Sequence, residues 1–251
     1  MQTHAQDPPV GDTTLLHRLC SSSLGGDGVT MAPAMQLALD ASFGSVDRWR
    51  ADFAACARAR GVGPGWMLLV FRHDGSLVHQ WAADHSHVAA GGVPILALGL
   101  HGQAHPGDDG AAVGACIDAW LGQLHWAAVH ARYQQAVDAA SAQLGVDQDG
   151  LGGALGGALV LDVRRAGAYA QASTTLPGAR WCNPAVVADW STGLPADRPV
   201  VVYCVHGHEV SRATALRLHA AGLQARYLRG GIDGWQVAGL PLVGKPAEPA
   251  A

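Results

Sequence analysis

The hydrophobic positions of this chain fall into two halves of different rhythm. Across residues 35–53 apolar residues recur at helical spacing, broken once at Phe43-Gly44-Ser45. That pattern predicts two successive helices, with Ser45 capping the second. WMLLVF (66–71), the turn-prone HDGS (73–76) and LVHQWA (77–82) follow. They predict a β-hairpin, since Asp-Gly suits the backbone of a tight turn between strands. VPILALGL (93–100) predicts a further buried strand, and helical periodicity then runs from about residue 113 through 133 to 137.

Beyond residue 138 a helical tail leads into DQDGLGGALGG, whose glycines predict a flexible connector between domains. After it, ALVLDV, PVVVYC and ARYL alternate with helical stretches near PAVVADW, over 211–221 and around Trp235. Short continuous apolar runs separated by helices imply a parallel sheet covered on both faces.

Composition narrows the picture. At 251 residues with 49% hydrophobic and 14% charged residues, the chain is long enough for two ordinary domains and is globular in character. The formal charge of −4 leaves no basic surface to neutralise phosphates, which argues against nucleic acid or a membrane surface as partner. The start lacks the basic and apolar regions of a secretory signal, and no run reaches the length of a membrane helix, which places the protein in the cytoplasm. Five widely spaced cysteines without a CxxC pair argue against a disulfide framework and leave room for one reactive thiol.

Cys204 is the residue in that position. The strand ending at Cys204 runs into Val205, His206, Gly207, His208, Glu209 and Val210, and a helix is expected to start with Ser211 as its cap. A cysteine at the carboxyl end of a buried strand, facing a helix N-terminus, sits where an open α/β sheet binds ligands. The loop amides and the helix dipole there favour a thiolate, a persulfide or an oxyanion. Gly207 lets the backbone turn tightly around the sulfur.

Three features, LDVR (161–164), PGA (177–179) and LRGGIDGW (228–235), stand around this loop in an order and spacing that resemble the rhodanese family over roughly residues 157–244. The resemblance implies that Cys204 accepts sulfane sulfur as a persulfide and passes it to a thiol acceptor. It gives Asp162 and Arg164 supporting roles near the first strand. Two departures qualify it. The loop carries no cation of the kind found in strong thiosulfate users, and Glu209 is expected to be solvated. Cysteine-loop phosphatases place an arginine six residues after the cysteine, where Val210 stands here, which excludes their phosphate clamp.

A second resemblance covers about residues 15–137. LLHRLCSSSLGGDG, ALDASFGSVDRWRADF, GPGWMLLVFRHDGSLV and VPILALGL look like the iron/manganese superoxide dismutases, chiefly their C-terminal domain. That family implies a metal held by two histidines of a helical hairpin plus an Asp and a His after the last strand. Here Gly99 stands in place of the Asp and Gln103 in place of the His. His17 matches the second hairpin histidine, and the first has no counterpart in the residues before it. One vestigial ligand of four implies no metal and no cofactor. His101 and His105 read as loop histidines among helix-breaking Gly and Pro.

The expected architecture is therefore α/β: a degenerate dismutase-like α+β domain over 1–137, a linker over 138–156, and a rhodanese-like parallel-sheet domain over 157–251. The expected activity is sulfur transfer from a sulfane-sulfur donor to a thiol acceptor, with possible self-association through the dismutase-like part. The alternatives are residual metal-dependent dismutase function and a non-catalytic interaction or sensing scaffold.

Overall fold

The structure, a computed structural model, describes residues 11–60, 65–83, 91–100, 110–149 and 157–246. Gln103, His101, His105 and the glycines of 150–156 lie outside the described residues. The chain forms two compact units. One gathers residues 1–32, 47–70 and 78–130; the other gathers 33–46, 71–77 and 131–251.

In the first unit, helix α1 (Gly11–Ser21) places Leu16 and Leu19 against Leu68, Val70 and Ala97 of a three-stranded sheet. Its strands are β1 (Trp66–Arg72), β2 (Leu77–Ala82) and β3 (Gly92–Gly99), in the order β2-β1-β3. Asp74 accepts from the amide and hydroxyl of Ser76, which fixes the turn of the expected hairpin. Helix α2 (Pro33–Phe43), which belongs to the second unit, ends before Gly44, and α3 (Val46–Ala59) of the first unit begins directly after Ser45.

The helical periodicity expected to continue from 113 to 137 belongs to two helices, α4 (Gly110–Leu121) and α5 (Trp126–Ser141). The chain breaks at Gly122, and Leu124 pairs with Leu24 in an antiparallel bridge. Trp49 meets Trp126 edge-to-face at 5.1 Å, Phe53 stacks on Trp120 at 6.1 Å, and the Trp126 indole donates to Gly28 O. These rings form an aromatic core for the unit.

The second unit is built on a five-stranded parallel sheet, ordered β4-β9-β8-β5-β7. Its strands are β4 (Gly145–Val146), β5 (Leu159–Asp162), β7 (Arg180–Trp181), β8 (Val200–Tyr203) and β9 (Ala225–Leu228). Strand periodicity divides β8 between two cores. Val200 and Val202 join Leu161, Ala215 and Leu218 on one face, while Val201 and Tyr203 join Leu176, Ile232 and Trp235 on the other. The covering helices are α6 (Ala166–Gln171), α7 (Val187–Ser191), α8 (Glu209–Ala220) and α9 (Gly231–Val237). A short ladder pairs β6 (Thr174–Thr175) with β10 (Val243–Gly244).

The expected flexible connector is ordered wherever it is described. Residues 138–141 finish α5, and Gly145–Val146 adds β4 to the open edge of β9, where parallel pairing satisfies backbone groups of both strands. Gly145 and Val146, within the stretch read as a linker, are thus part of the C-terminal sheet. Among the described residues no helix is long and apolar enough to cross a membrane.

Candidate functional site

Strand β8, buried on both faces, delivers Cys204 to its carboxyl end, and the chain turns through residues 205–208 into α8. The helix starts at Glu209, with His208 at the cap position, three residues earlier than a Ser211 cap would give. Ser211 lies in the first turn instead, completely buried, with its hydroxyl 3.2 Å from Cys204 Sγ and 3.3 Å from His208 O. Cys204 as a residue is buried, at 6% exposure.

The loop backbone is held from outside by the start of α9. The amides of Ile232 and Asp233, at the start of α9, donate to Cys204 O and Val205 O at 3.0 and 3.1 Å. Gly207 adopts φ +70°, and a Cβ there would meet Leu228 O at 2.6 Å and Gly230 N at 2.7 Å. Gly231 adopts φ +57°, and a Cβ there would meet Cys204 O at 2.5 Å. The cysteine loop and the Gly-Gly turn therefore approach so closely that neither admits a side chain at these positions.

The loop side chains divide by direction. His206 Nδ1 lies 2.8 Å from Asp233 Oδ2, and the rings of His206 and His208 are 5.6 Å apart. Glu209, expected to be solvated, is buried and accepts a hydrogen bond from Gln134 Nε2 at 3.3 Å. The difference arises because a side chain of α5 reaches the carboxylate from outside the loop and offsets part of the cost of burying it. Val210 lines the same pocket as the thiol.

Asp162 and Arg164 lie at the end of β5, both buried. The Arg164 guanidinium donates to both Asp162 oxygens, and its second edge donates to Thr174 O at 2.9 Å. The Tyr203 hydroxyl donates to Asp162 at 2.9 Å, and burial beside that carboxylate pushes the phenol up. A fully hydrogen-bonded pair of this kind fixes the β5–α6 turn.

That turn supplies what the loop lacks. Cys204, His206 and His208 share a pocket of about 150 Å³ with Arg164, Arg165 and Ala34. Cations absent from the cysteine loop thus come from a separate element. The doublet Arg164-Arg165 after the strand is the sequence signal, and the parallel pairing of β5 with β8 brings it to the sheet edge that carries Cys204.

In the other unit, His17 is exposed, its ring edge-on to Trp66 at 4.9 Å. Gly99 closes β3 beside a cavity of about 380 Å³ lined by Leu98, Val113, Ile117 and Trp120 with the thiols of Cys20 and Cys116.

The parallel sheet, the cysteine loop and the Gly-Gly turn define a rhodanese-like domain, and the family model described as "Rhodanese-like domain" matches residues 148–238. The chain joins it to a domain of the iron/manganese superoxide dismutase C-terminal family, whose model matches residues 31–132. A superoxide dismutase [Fe] of Cupriavidus metallidurans is 42% identical over 127 residues, covering 50% of this chain and 64% of that protein. A superoxide dismutase [Mn] 1 of Halobacterium salinarum is 34% identical over 133 residues, covering 51% and 64%. The chain thus spans 64% of the length of these curated relatives. Among solved structures, a full-length protein from Lactobacillus plantarum shares 27% identity at a TM-score of 0.38, covering 41% of this chain and 90% of that one. A thiosulfate sulfurtransferase from Pseudomonas aeruginosa shares 27% identity at a TM-score of 0.34, covering 39% and 19%.

Proposed function

We propose that the protein is a rhodanese-type sulfurtransferase that carries sulfane sulfur as a persulfide on Cys204. The observation that carries this reading is the placement of the thiol at the carboxyl end of β8, in a pocket shared with Arg164, Arg165, His206 and His208. The Cys204 thiolate attacks the outer sulfur of a donor. The donor's sulfur–sulfur bond breaks, and the leaving group departs with the electron pair. An acceptor thiolate then attacks the outer sulfur of the persulfide, and Cys204 leaves as thiolate. The pocket arginines and the first turn of α8 offset the negative charge held in the site, and the Ser211 hydroxyl is placed to hydrogen-bond the inner sulfur.

Iron or manganese chemistry does not fit the other domain. Such ions take nitrogen and oxygen donors, whereas Gly99 offers no side chain and the adjoining cavity wall presents hydrocarbon, two thiols and the single neutral amide of Gln123, with no carboxylate or imidazole among its described residues. With Gln103 at the second position, the dismutase-like domain has lost its metal ligands and serves a structural or associative role, self-association included.

Incubation of the purified protein with thiosulfate or a small persulfide, followed by mass mapping, tests the reading. One cyanide-labile sulfur on Cys204, absent in Cys204→Ser, is expected. Sulfur uptake by exposed Cys56 and not by Cys204 would overturn it.

A further inference from the structure

We propose that the segment joining the two family domains belongs to the sulfur-transfer site, with Asp138 and Gln134 of α5 acting as positioning residues for the Cys204 loop. The inference rests on the sulfurtransferase reading of that loop. Both residues lie outside the matched segments 31–132 and 148–238.

Arg212, on the first turns of α8, is the bridge. Its Nε donates to Gly207 O at 2.9 Å, in the middle of the loop, and its Nη1 donates to Asp138 Oδ1 at 2.7 Å. The guanidinium lies over the Tyr227 ring at 4.9 Å. Because a guanidinium is planar and rigid, fixing one edge on Asp138 fixes the direction in which the other edge meets Gly207. Gln134, one helical turn before Asp138, holds the Glu209 carboxylate at the point where the loop becomes helix.

The same segment reaches the opposite wall. Val146 O accepts from Arg229 N at 3.0 Å, and Gln148, the first residue of the matched segment that follows, donates from Nε2 to Arg229 O at 2.8 Å. Arg229 leads directly into the Gly-Gly turn against which Gly207 rests. The joining segment therefore grips both sides of the loop. Asp138 and its partner Arg212 lie outside the residues that line the thiol pocket, and Gln134 meets that lining only at Glu209, so the segment acts on the sulfur through the loop.

The test uses the full chain with Asp138→Ala, Gln134→Ala and the conservative Asp138→Glu. Two readouts are taken: steady-state sulfur transfer to a thiol, and the alkylation rate of Cys204 relative to exposed Cys56 in the same molecule. Asp138→Ala is expected to lower kcat by about three- to tenfold with KM nearly unchanged, to shift the Cys204 alkylation rate by a similar factor, and to be rescued by Asp138→Glu. Gln134→Ala is expected to shift the alkylation rate in addition. Wild-type values for both Ala variants in both readouts would overturn the inference. A wild-type protein that takes up no sulfur, but whose Cys204 alkylation responds to Asp138→Ala, would support the positioning role while removing the sulfurtransferase reading.

Discussion

Two backbone positions decide whether the thiol pocket exists. At Gly231 a methyl group would sit 2.4 Å from Val205 O and 2.5 Å from Cys204 O, in a conformation that L residues rarely adopt. The amides following it donate to those same two carbonyls, so the loop cannot retreat without breaking the bonds that hold it. Gly231→Ala is therefore expected to cost about 3 kcal/mol, combining positive-φ strain with a forced backbone shift. Urea unfolding measures this, and sulfur loading of Cys204 should fall in the same variant even where it remains folded. A variant with unchanged midpoint and loading would mean that the Gly-Gly turn is not what shapes the loop.

At the scale of elements, much of the architecture was legible because burial imposes period. The continuous apolar run at 199–204 could only be a strand covered on both faces, and the Asp-Gly at 74–75 could only turn a hairpin. Less legible were groups whose role depends on a distant partner. Glu209 reads as a solvated loop residue, but α5 brings Gln134 to it, and Arg165 carries no signal of its own in the sequence. The start of α8 was misjudged because Ser211 suits a cap chemically, yet its hydroxyl turns to the thiol. Element packing also shapes a titration. On β2, His79 lies against Phe53 of α3, edge-to-face at 5.5 Å, and burial pushes the imidazole down to about 4. The unfolded chain, with an ordinary value near 6.5, binds the proton more readily. The folded state is therefore undisturbed above about pH 6.5 and loses stability as pH falls toward 4. Discounted for partial exposure, the loss is about 1–2 kcal/mol. Thermal unfolding across that range should show the slope in wild type and a flatter profile in His79→Gln.

For the whole molecule, the stretch 138–156 reads as a linker in the sequence, and the described structure extends the C-terminal sheet into it at Gly145–Val146. Leu144 and Val146 pack onto the two cores of that sheet, one on each face, and β4 covers the edge of β9. Arg212, half of the link to the loop, finds its carboxylate at Asp138. A fragment beginning at residue 157 would expose the β9 edge, strip apolar cover from both faces and leave Arg212 without its acid. One beginning at residue 131 would keep all three. An exposed parallel edge favours association with other chains as well as local unfolding. The longer fragment is accordingly expected to melt several degrees higher, since about 1–2 kcal/mol of recovered burial and pairing shifts a domain of this size by roughly that much. Calorimetry of the two fragments, with light scattering to record association, checks this directly. Equal melting temperatures would place the true folding boundary at residue 157 and reduce the joining segment to a tether.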